Sequence, residues 1–246
     1  MVATPDRYDT IGRSYGATRR ADPRYAEAIH AALGSASSVL NVGAGTGSYE
    51  PRDRAVVALE PSAVMIAQRP TNAAPCVRGV SENLPFADRS FDAIMGVLTV
   101  HHWTRPLEGL AEVRRVTRGP IVIVATSVQA WARSWLAHDY FHDALTYADE
   151  IEAEAIAEAI DGRVEPLLTP SDCIDGFMLS AWRRPEAYLD PAVRAGISWF
   201  ATIGPERERI FVERLGADLA SGAWHERHGH ILSLDRYDGG HRLIIA

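Results

Sequence analysis

The chain has 246 residues and a mass of 26.9 kDa, enough for one large α/β domain with an ample core. Its 25 basic and 32 acidic residues give a net charge of −7 and no Lys/Arg block, so we do not expect a nucleic-acid partner. Residues 1–20 lack an apolar segment, and the longest aliphatic run, 121–125, is too short to cross a bilayer, so we expect a cytoplasmic protein with no membrane partner.

The first predicted helix follows residues that favour a helix start. Asp22 is the expected N-cap, Pro23 occupies the first helical position and Gly34 ends the helix. Strands and helices then alternate, with strands predicted at 38–42, 56–59, about 76–78, 91–97 and 121–125, and helices at 62–68 and 104–116. This alternation predicts a parallel sheet.

The second half of the chain is mainly helical by its pattern of apolar residues. Helices are predicted at 130–148, 150–160, 193–202 and 206–219, and strands at 164–169 and 241–246. Cys76 and Cys173 stand alone without a CxxC spacing, so both are predicted to be core thiols. His138 and His142 have the spacing of helical metal ligands but lack the intervening glutamate of a metalloprotease, and we expect no metal.

Three glycines, Gly43, Gly45 and Gly47, follow the first predicted strand. Closely spaced glycines after a buried strand let the backbone approach a ligand that side chains would exclude, although an ordinary tight turn has the same pattern. Ser48 stands where a dinucleotide-binding turn has its third glycine or alanine, which disfavours an NAD(P)-dependent oxidoreductase. The turn therefore predicts a nucleotide-like cofactor site.

Glu60 comes at the end of the second predicted strand, next to this turn in a doubly wound sheet. A carboxylate there can accept hydrogen bonds from both hydroxyls of a ribose. The alternative is a solvated residue before the helix that starts near Ser62.

These segments carry a family resemblance. The runs 41–47, 84–86 and 90–93, together with Glu60, resemble the motif series of class I S-adenosylmethionine (SAM)-dependent methyltransferases, in particular the type-11 small-molecule group. The resemblance covers about 39–126. It implies an α/β fold with a Rossmann-like, doubly wound seven-stranded sheet of order 3-2-1-4-5-7-6, strand 7 being antiparallel. It also implies one domain over 1–246, with a helical cover at 1–36, a cofactor-binding core at 37–126, and a lid, substrate region and last strands at 127–246.

The resemblance further assigns residues to the cofactor SAM, whose product is S-adenosyl-L-homocysteine (SAH). The turn (Gly43, Ala44, Gly45, Gly47) would cradle the cofactor, Glu60 would hold the ribose, Pro61 would flank the adenine, and Ser81 and Glu82 would bind the adenine amino group. Asn41, Tyr15 and Arg19 would hold the methionine end; the alternative for the N-terminal segment is a flexible arm with solvated basic residues. Two positions depart from the family pattern, because many members have an acidic residue where this chain has Asn41 and Val80.

The fourth predicted strand ends at His101 and His102, on the sheet edge where open α/β sheets bind ligands. His101 is the candidate general base for an acceptor that must lose a proton, and His102 is a second candidate or a brace for the next helix. Five aromatic residues are expected to form either an acceptor surface or helical core: Trp131, Trp135, Tyr140, Phe141 and Tyr147. Asp172 and Asp175 are predicted turn formers.

The function predicted from these features is transfer of a methyl group from SAM to an O, N or C atom of a small organic acceptor. Two alternatives stay open: a SAM-binding protein without methyl transfer, and an NAD(P)-dependent oxidoreductase. The sequence specifies neither the acceptor nor the oligomeric state.

Overall fold

The computed structural model describes residues 19–141 and 151–246. Within them, seven strands form one sheet: β1 Ser38–Val42, β2 Ala55–Glu60, β3 Cys76–Arg78, β4 Ala93–Val97, β5 Ile121–Thr126, β6 Arg163–Pro166 and β7 His241–Ile245. The order is β3-β2-β1-β4-β5-β7-β6, and β7 runs antiparallel to both of its neighbours while the other pairs are parallel. The predicted topology is therefore confirmed.

Helices connect and cover the strands. They are α1 Pro23–Ala32, α2 Ala63–Ala67, α3 Pro106–Val116, α4 Val128–Ala132, α5 Trp135–Tyr140, α6 Ala153–Ile160, α7 Pro191–Ala195, α8 Ser198–Ile203, α9 Pro205–Ser221 and α10 Ala223–His228, with 3₁₀ turns at Val100–His102, Pro185–Leu189 and Gly229–Ser233. The start of α1 is the one predicted: the Asp22 carboxylate accepts from the Arg24 N–H at 3.0 Å, a cap that stabilises a helix by about 1 kcal/mol. None of the described helices combines the length and apolar character needed to span a membrane.

Successive side chains of a β-strand point to opposite faces of the sheet, so alternate residues of each strand pack in different hydrophobic cores. On one face, Leu40 and Ile123 pack with α3 and α6, and on the other, Val39 and Val122 pack with α1. The sheet is thus buried on both sides, which explains its long apolar runs.

A third core lies among the helices after β5. It is built around large aromatic side chains, including Trp135, Trp182, Tyr188, Phe211 and Trp224, each at most 2% exposed. Several of these rings meet edge to face, for example Trp135 and Trp224 at 5.3 Å between centroids. This core supports one side of the site described below.

Several element boundaries differ from the predictions, and two of the differences concern strands. Phe91 forms only an isolated bridge with Thr117, and β4 begins at Ala93. The predicted strand 164–169 ends at Pro166, and Thr169–Pro170 instead pairs antiparallel with Arg236–Tyr237.

Two predicted helices are broken in the structure. The described part of 130–148 is two helices, because the Ser134 hydroxyl accepts from the Ala137 N–H and starts a new one. The predicted helix 193–202 is broken at Gly196 and Ile197.

Candidate active site

A cavity of about 480 Å³ opens at the carboxyl ends of β1, β2 and β4, the edge at which ligands bind in open α/β sheets. Nearly all the described candidate residues line it: Arg19, Asn41, Gly43, Ala44, Gly45, Glu60, Pro61, Ser81, Glu82, His101 and His102. Gly47 lies in the same turn beside it, and Tyr15 falls outside the described residues. The cavity brings together side chains from segments far apart in the chain.

The glycine turn wraps the end of β1 in a conformation that other residues adopt poorly. Gly43, Gly45 and Gly47 have φ values of 68°, 52° and 87°, in the left-handed region that favours glycine. A Cβ on Gly43 would lie 1.8 Å from Thr99 Oγ1, so this position has no room for any side chain. The N–H groups of Gly43 and Ala44 both donate to Leu59 O, at 2.8 and 3.0 Å, which ties the turn to β2.

Glu60 connects the turn to the next helix. It is 6% exposed; its Oε2 accepts from the Gly45 N–H at 2.8 Å and its Oε1 accepts from the Ser62 N–H at 3.0 Å. The register that pairs Val42 with Leu59 places the turn and this carboxylate side by side. Each carboxylate oxygen has two acceptor sites, so these bonds are compatible with binding ligand hydroxyls.

A buried ion pair between Glu50 and Arg69 is hydrogen-bonded to the glycine turn. Glu50 and Arg69, with side chains 6% and 5% exposed, lie 2.7 Å apart. Arg69 also donates to Gly45 O at 3.1 Å, and Asn41 Nδ2 donates to Glu50 Oε1 at 3.1 Å. Because the Asn41 amide nitrogen faces Glu50, its Oδ1 is the atom that can accept a hydrogen bond from a ligand.

The segment after β3 closes the opposite side of the cavity. Ser81 is buried and its hydroxyl donates to Glu82 Oε2 at 2.9 Å. Glu82 Oε1 accepts from the Arg105 N–H at 3.0 Å. Burial alone raises the pKa of Glu82, but the hydrogen bonds from Arg105, its own backbone and Ser81 outweigh it and lower that pKa. Glu82 is therefore an ionised acceptor at the cavity wall.

Comparisons with known proteins agree with this geometry. A family described as "Methyltransferase domain", of the type-11 group, matches residues 40–123. A solved structure from Anabaena variabilis, provisionally described as a methyltransferase from an antibiotic biosynthesis pathway, is 34% identical and has a TM-score of 0.85; the match covers 93% of this chain and 98% of that one. The chain belongs to the class I SAM-dependent methyltransferases.

Two curated relatives match a shorter part of this methyltransferase. A malonyl-[acyl-carrier protein] O-methyltransferase from Erwinia pyrifoliae is 44% identical over 96 residues. A demethylmenaquinone methyltransferase from Renibacterium salmoninarum is 38% identical over 122 residues. These matches cover 36% and 46% of this chain and only 36% and 51% of the relatives' own lengths. SAM is the cofactor of this family, and the cavity, with its glycine turn and acidic residues, fits it.

The methyltransferase carries its two candidate catalytic histidines on the 3₁₀ turn Val100–His102. Their ring centroids are 3.8 Å apart. The turn follows Leu98, whose φ of 51° is rare for a leucine and costs about 1–2 kcal/mol. The packing of Thr99 against Gly43 and the bond from Leu98 N to Val124 O, at 2.7 Å, hold this strained connection in place.

A second cavity of about 370 Å³ adjoins the first, and four residues line both: Arg19, Leu98, His101 and His102. Most of its remaining wall is apolar or aromatic, with Trp131, Phe177, Met178, Leu179, Ile197 and Trp199. The histidine pair therefore stands at the boundary between the cofactor cavity and an apolar cavity of small-molecule size.

Arg19 reaches this boundary with its guanidinium held by Asp175. Arg19 Nη2 donates to Asp175 Oδ2 at 3.1 Å and Arg19 Nε donates to Asp175 Oδ1. Asp175 is 1% exposed and also accepts from Tyr49 Oη at 2.6 Å. The turn-forming role predicted for Asp175 is therefore incomplete, because its carboxylate is the buried counter-ion of an arginine at the site.

Other candidates lie away from both cavities. Trp135, Tyr140 and Phe141 belong to the third core, so of the described aromatic candidates only Trp131 lines the second cavity. Tyr147 and His142 fall outside the described residues. His138 is exposed and pairs with Asp139, and no cluster of metal-binding side chains occurs in 19–141 or 151–246.

The two thiols differ in burial. Cys173 is 4% exposed, and burial raises its pKa to about 12, as expected for a core thiol. Cys76 is half-buried instead of fully buried.

The sequence alone did not identify six residues of the site: Thr99, Glu50, Arg69, Asp175, Tyr49, and His241, which lines the second cavity. Several of their partners lie far along the chain: Arg19 and Asp175 are 156 positions apart, whereas Glu50 and Arg69 are 19 apart. A local motif cannot reveal such pairs.

Proposed function

We propose that this methyltransferase moves the methyl group of SAM to an oxygen, nitrogen or carbon atom of a small organic molecule bound in the second cavity. The observation that carries the proposal is the position of the histidine pair, which lines both the cofactor cavity and the apolar cavity. A donor and an acceptor held on either side of one short turn can approach to the roughly 3 Å that an in-line displacement needs.

The residues of the first cavity would hold the cofactor in a fixed orientation. Glu60 would accept hydrogen bonds from the ribose hydroxyls, Ser81 and Glu82 would bind the adenine edge, and Asn41 Oδ1 would accept from the methionine ammonium. Bound SAM supplies a sulfonium methyl group that is electrophilic without any further activation. The residues of the two cavities would therefore accelerate the reaction by orienting the two reactants and by excluding water.

An acceptor with a hydroxyl or protonated amine must also lose a proton. His101 is the group we assign to receive it, since imidazole titrates in the useful range and this residue lines both cavities. His102, with its ring centroid 3.8 Å from that of His101, would restrain the orientation of the His101 ring.

The size and wall of the second cavity indicate the kind of acceptor. A cavity of about 370 Å³ with aromatic walls suits a compact apolar molecule. The Anabaena variabilis neighbour is provisionally described as belonging to antibiotic biosynthesis, so natural-product intermediates are the first acceptors to test.

The test is to incubate the protein with SAM labelled in its methyl group and a metabolite extract, and to identify labelled products by mass spectrometry. We expect a product heavier by one methyl group and an equal amount of SAH. Turnover of a compound without transfer of the label would establish the alternative of a SAM-binding protein that does not methylate. Binding of NAD(H), with no binding of SAM or SAH in calorimetry, would refute the proposal.

A further inference from the structure

His241 is a buried titratable residue that the mechanism above does not use. It is the first residue of β7 and pairs in register with Thr126 of β5. It is 7% exposed, and it lines the second cavity together with Arg19 and His101. It does not line the cofactor cavity. Any contact of His241 with a ligand would therefore be with the acceptor in the second cavity.

Tyr25 determines which nitrogen of His241 carries the hydrogen. Tyr25 Oη lies 3.0 Å from His241 Nδ1, 3.2 Å from Leu167 O and 3.2 Å from Thr169 Oγ1. Tyr25 Oη has one hydrogen for these three partners, and Leu167 O is the only one of them that cannot donate in return, so we assign the Tyr25 hydrogen to Leu167 and the Nδ1–H to His241. A neutral imidazole has one N–H, and this hydrogen-bond network assigns the lone pair to Nε2.

The ring is also fixed by packing. It meets Phe177 at 4.5 Å between centroids and Tyr25 at 5.8 Å, both edge to face. Within 19–141 and 151–246, the hydrogen bond of the His241 ring is the one between Nδ1 and Tyr25, and Nε2 is not among the fully buried side-chain atoms that lack a partner, so this acceptor atom is accessible from the cavity that the residue lines. An acceptor atom on the wall of a cavity can be satisfied by water or by a ligand.

The charges around the ring keep it neutral. Burial lowers the pKa of His241 to about 3, helped by the positive charges of Arg19, His101 and Arg242, against a smaller opposite effect of Asp238. A ring with this pKa does not take up a proton near neutral pH, so it differs in role from His101.

We infer that His241 Nε2 accepts a hydrogen bond from the molecule that is methylated, so that the second cavity selects a compact apolar acceptor carrying an O–H or N–H group. The inference rests on the proposed function, since it takes the second cavity as the acceptor site. His241 orients the O–H or N–H atom. As the new bond to the methyl carbon forms, the S–CH₃ bond breaks with its electrons going to sulfur. From a primary amine, one N–H stays hydrogen-bonded to His241 and the other proton goes to His101; from a hydroxyl, the single O–H hydrogen leaves His241 and is transferred to His101.

A matched pair of probes tests this selection. In the SAH-loaded protein, the affinities of 2-naphthol and 2-methylnaphthalene are measured by calorimetry; the two molecules have the same shape but only the first has a donor. We expect His241→Phe to lower the preference for 2-naphthol roughly 3- to 10-fold, the range for losing one hydrogen bond. His241→Gln, whose side-chain oxygen reaches the place of Nε2, should restore part of it. A preference unchanged in His241→Phe would overturn the inference.

Nitrogen-15 NMR of the histidine side chains gives a second test that needs no acceptor. His241 should show the Nδ1–H tautomer in the wild type and a mixture in Tyr25→Phe. His30 is an internal reference, because its Nε2 lies 3.0 Å from Tyr49 O and must carry a hydrogen. An Nε2–H tautomer or a charged ring at His241 would refute the inference. Failure of the wild type to bind SAH would instead refute the proposed function, and the tautomer would still be measured.

Discussion

Replacement of Glu60 by glutamine is a sharp test of the cofactor site. Both oxygens of this carboxylate accept a backbone N–H, from Gly45 at 2.8 Å and from Ser62 at 3.0 Å. A glutamine side chain of the same size has one oxygen and one NH₂ group. Whichever way the amide turns, its NH₂ faces an N–H donor. The substitution is therefore not conservative here.

The magnitude follows from the bonds that are lost. A hydrogen bond to a charged group contributes about 1.5–3 kcal/mol, so loss of the ribose interaction should raise the Kd for SAH roughly 10- to 150-fold. Leaving one of the two backbone N–H groups without an acceptor should also lower the free energy of unfolding by about 1–3 kcal/mol. We expect Glu60→Ala to weaken binding in the same range.

The assay is calorimetric titration with SAH, paired with urea unfolding of the free protein. Glu165→Gln is the matched control, since Glu165 lies on β6, is half exposed and lines neither cavity; both quantities should stay at the wild-type values. If Glu60→Gln binds SAH as tightly as the wild type does, the carboxylate does not hold the ribose, and the assigned cofactor site is refuted.

Three further substitutions test other parts of the structure. Gly43→Ala should abolish SAH binding, because the added Cβ would overlap Thr99. Gly34→Ala is the control: Gly34 also has a positive φ (59°), but a Cβ there would meet open space, so SAH binding should be retained. Equal effects of the two substitutions in calorimetry would contradict the close packing of the turn. His101→Ala should lower kcat about 10²- to 10⁴-fold and leave the affinity for SAH unchanged. The kcat is measured with the acceptor identified in the extract, and a wild-type kcat would show that His101 is not the general base. Burial by itself raises the pKa of Asp22, but hydrogen bonds from Arg24 and from the Ile174 N–H have a larger opposite effect, so the net pKa lies below 3.8. The ionised carboxylate therefore stabilises the folded state fully above pH 3.8, and this stabilisation is lost as the pH falls through the lower pKa of the folded state. Asp22→Ala should accordingly cost about 1–2 kcal/mol at pH 7 and less at pH 3 in urea unfolding, and a cost independent of pH would refute this ionised cap.

Periodicity along the chain predicted most of the sheet correctly. The strands at 38–42, 76–78 and 121–125 match the structure to within a residue, because each is a short apolar run bounded by turn residues. The order of the strands, however, came from the family resemblance and not from the pattern. Helix breaks inside apolar stretches, as at Ser134, could not be predicted because a serine is tolerated within helices as well as at their starts.

Most of the residues predicted to hold the cofactor line one cavity. The glycine turn and Glu60 occupy the ends of consecutive strands, and adjacent parallel strands bring such ends together regardless of what the helices do. On the acceptor side the sequence offered His101, His102 and Trp131, which line the second cavity, but most of that cavity wall was not named. His241 reaches Tyr25 over 216 positions, through the insertion of β7 beside β5.

The sequence by itself thus determined the elements whose signals are local, namely the strands, the capped first helix and the turn that only glycines can form. Tertiary structure decided which charged groups are buried against each other, such as Arg19 with Asp175, and which side chains enclose the second cavity. The physical reason is that strand and turn preferences act between near neighbours in the chain, whereas ion pairs and cavity walls join residues that only folding brings together.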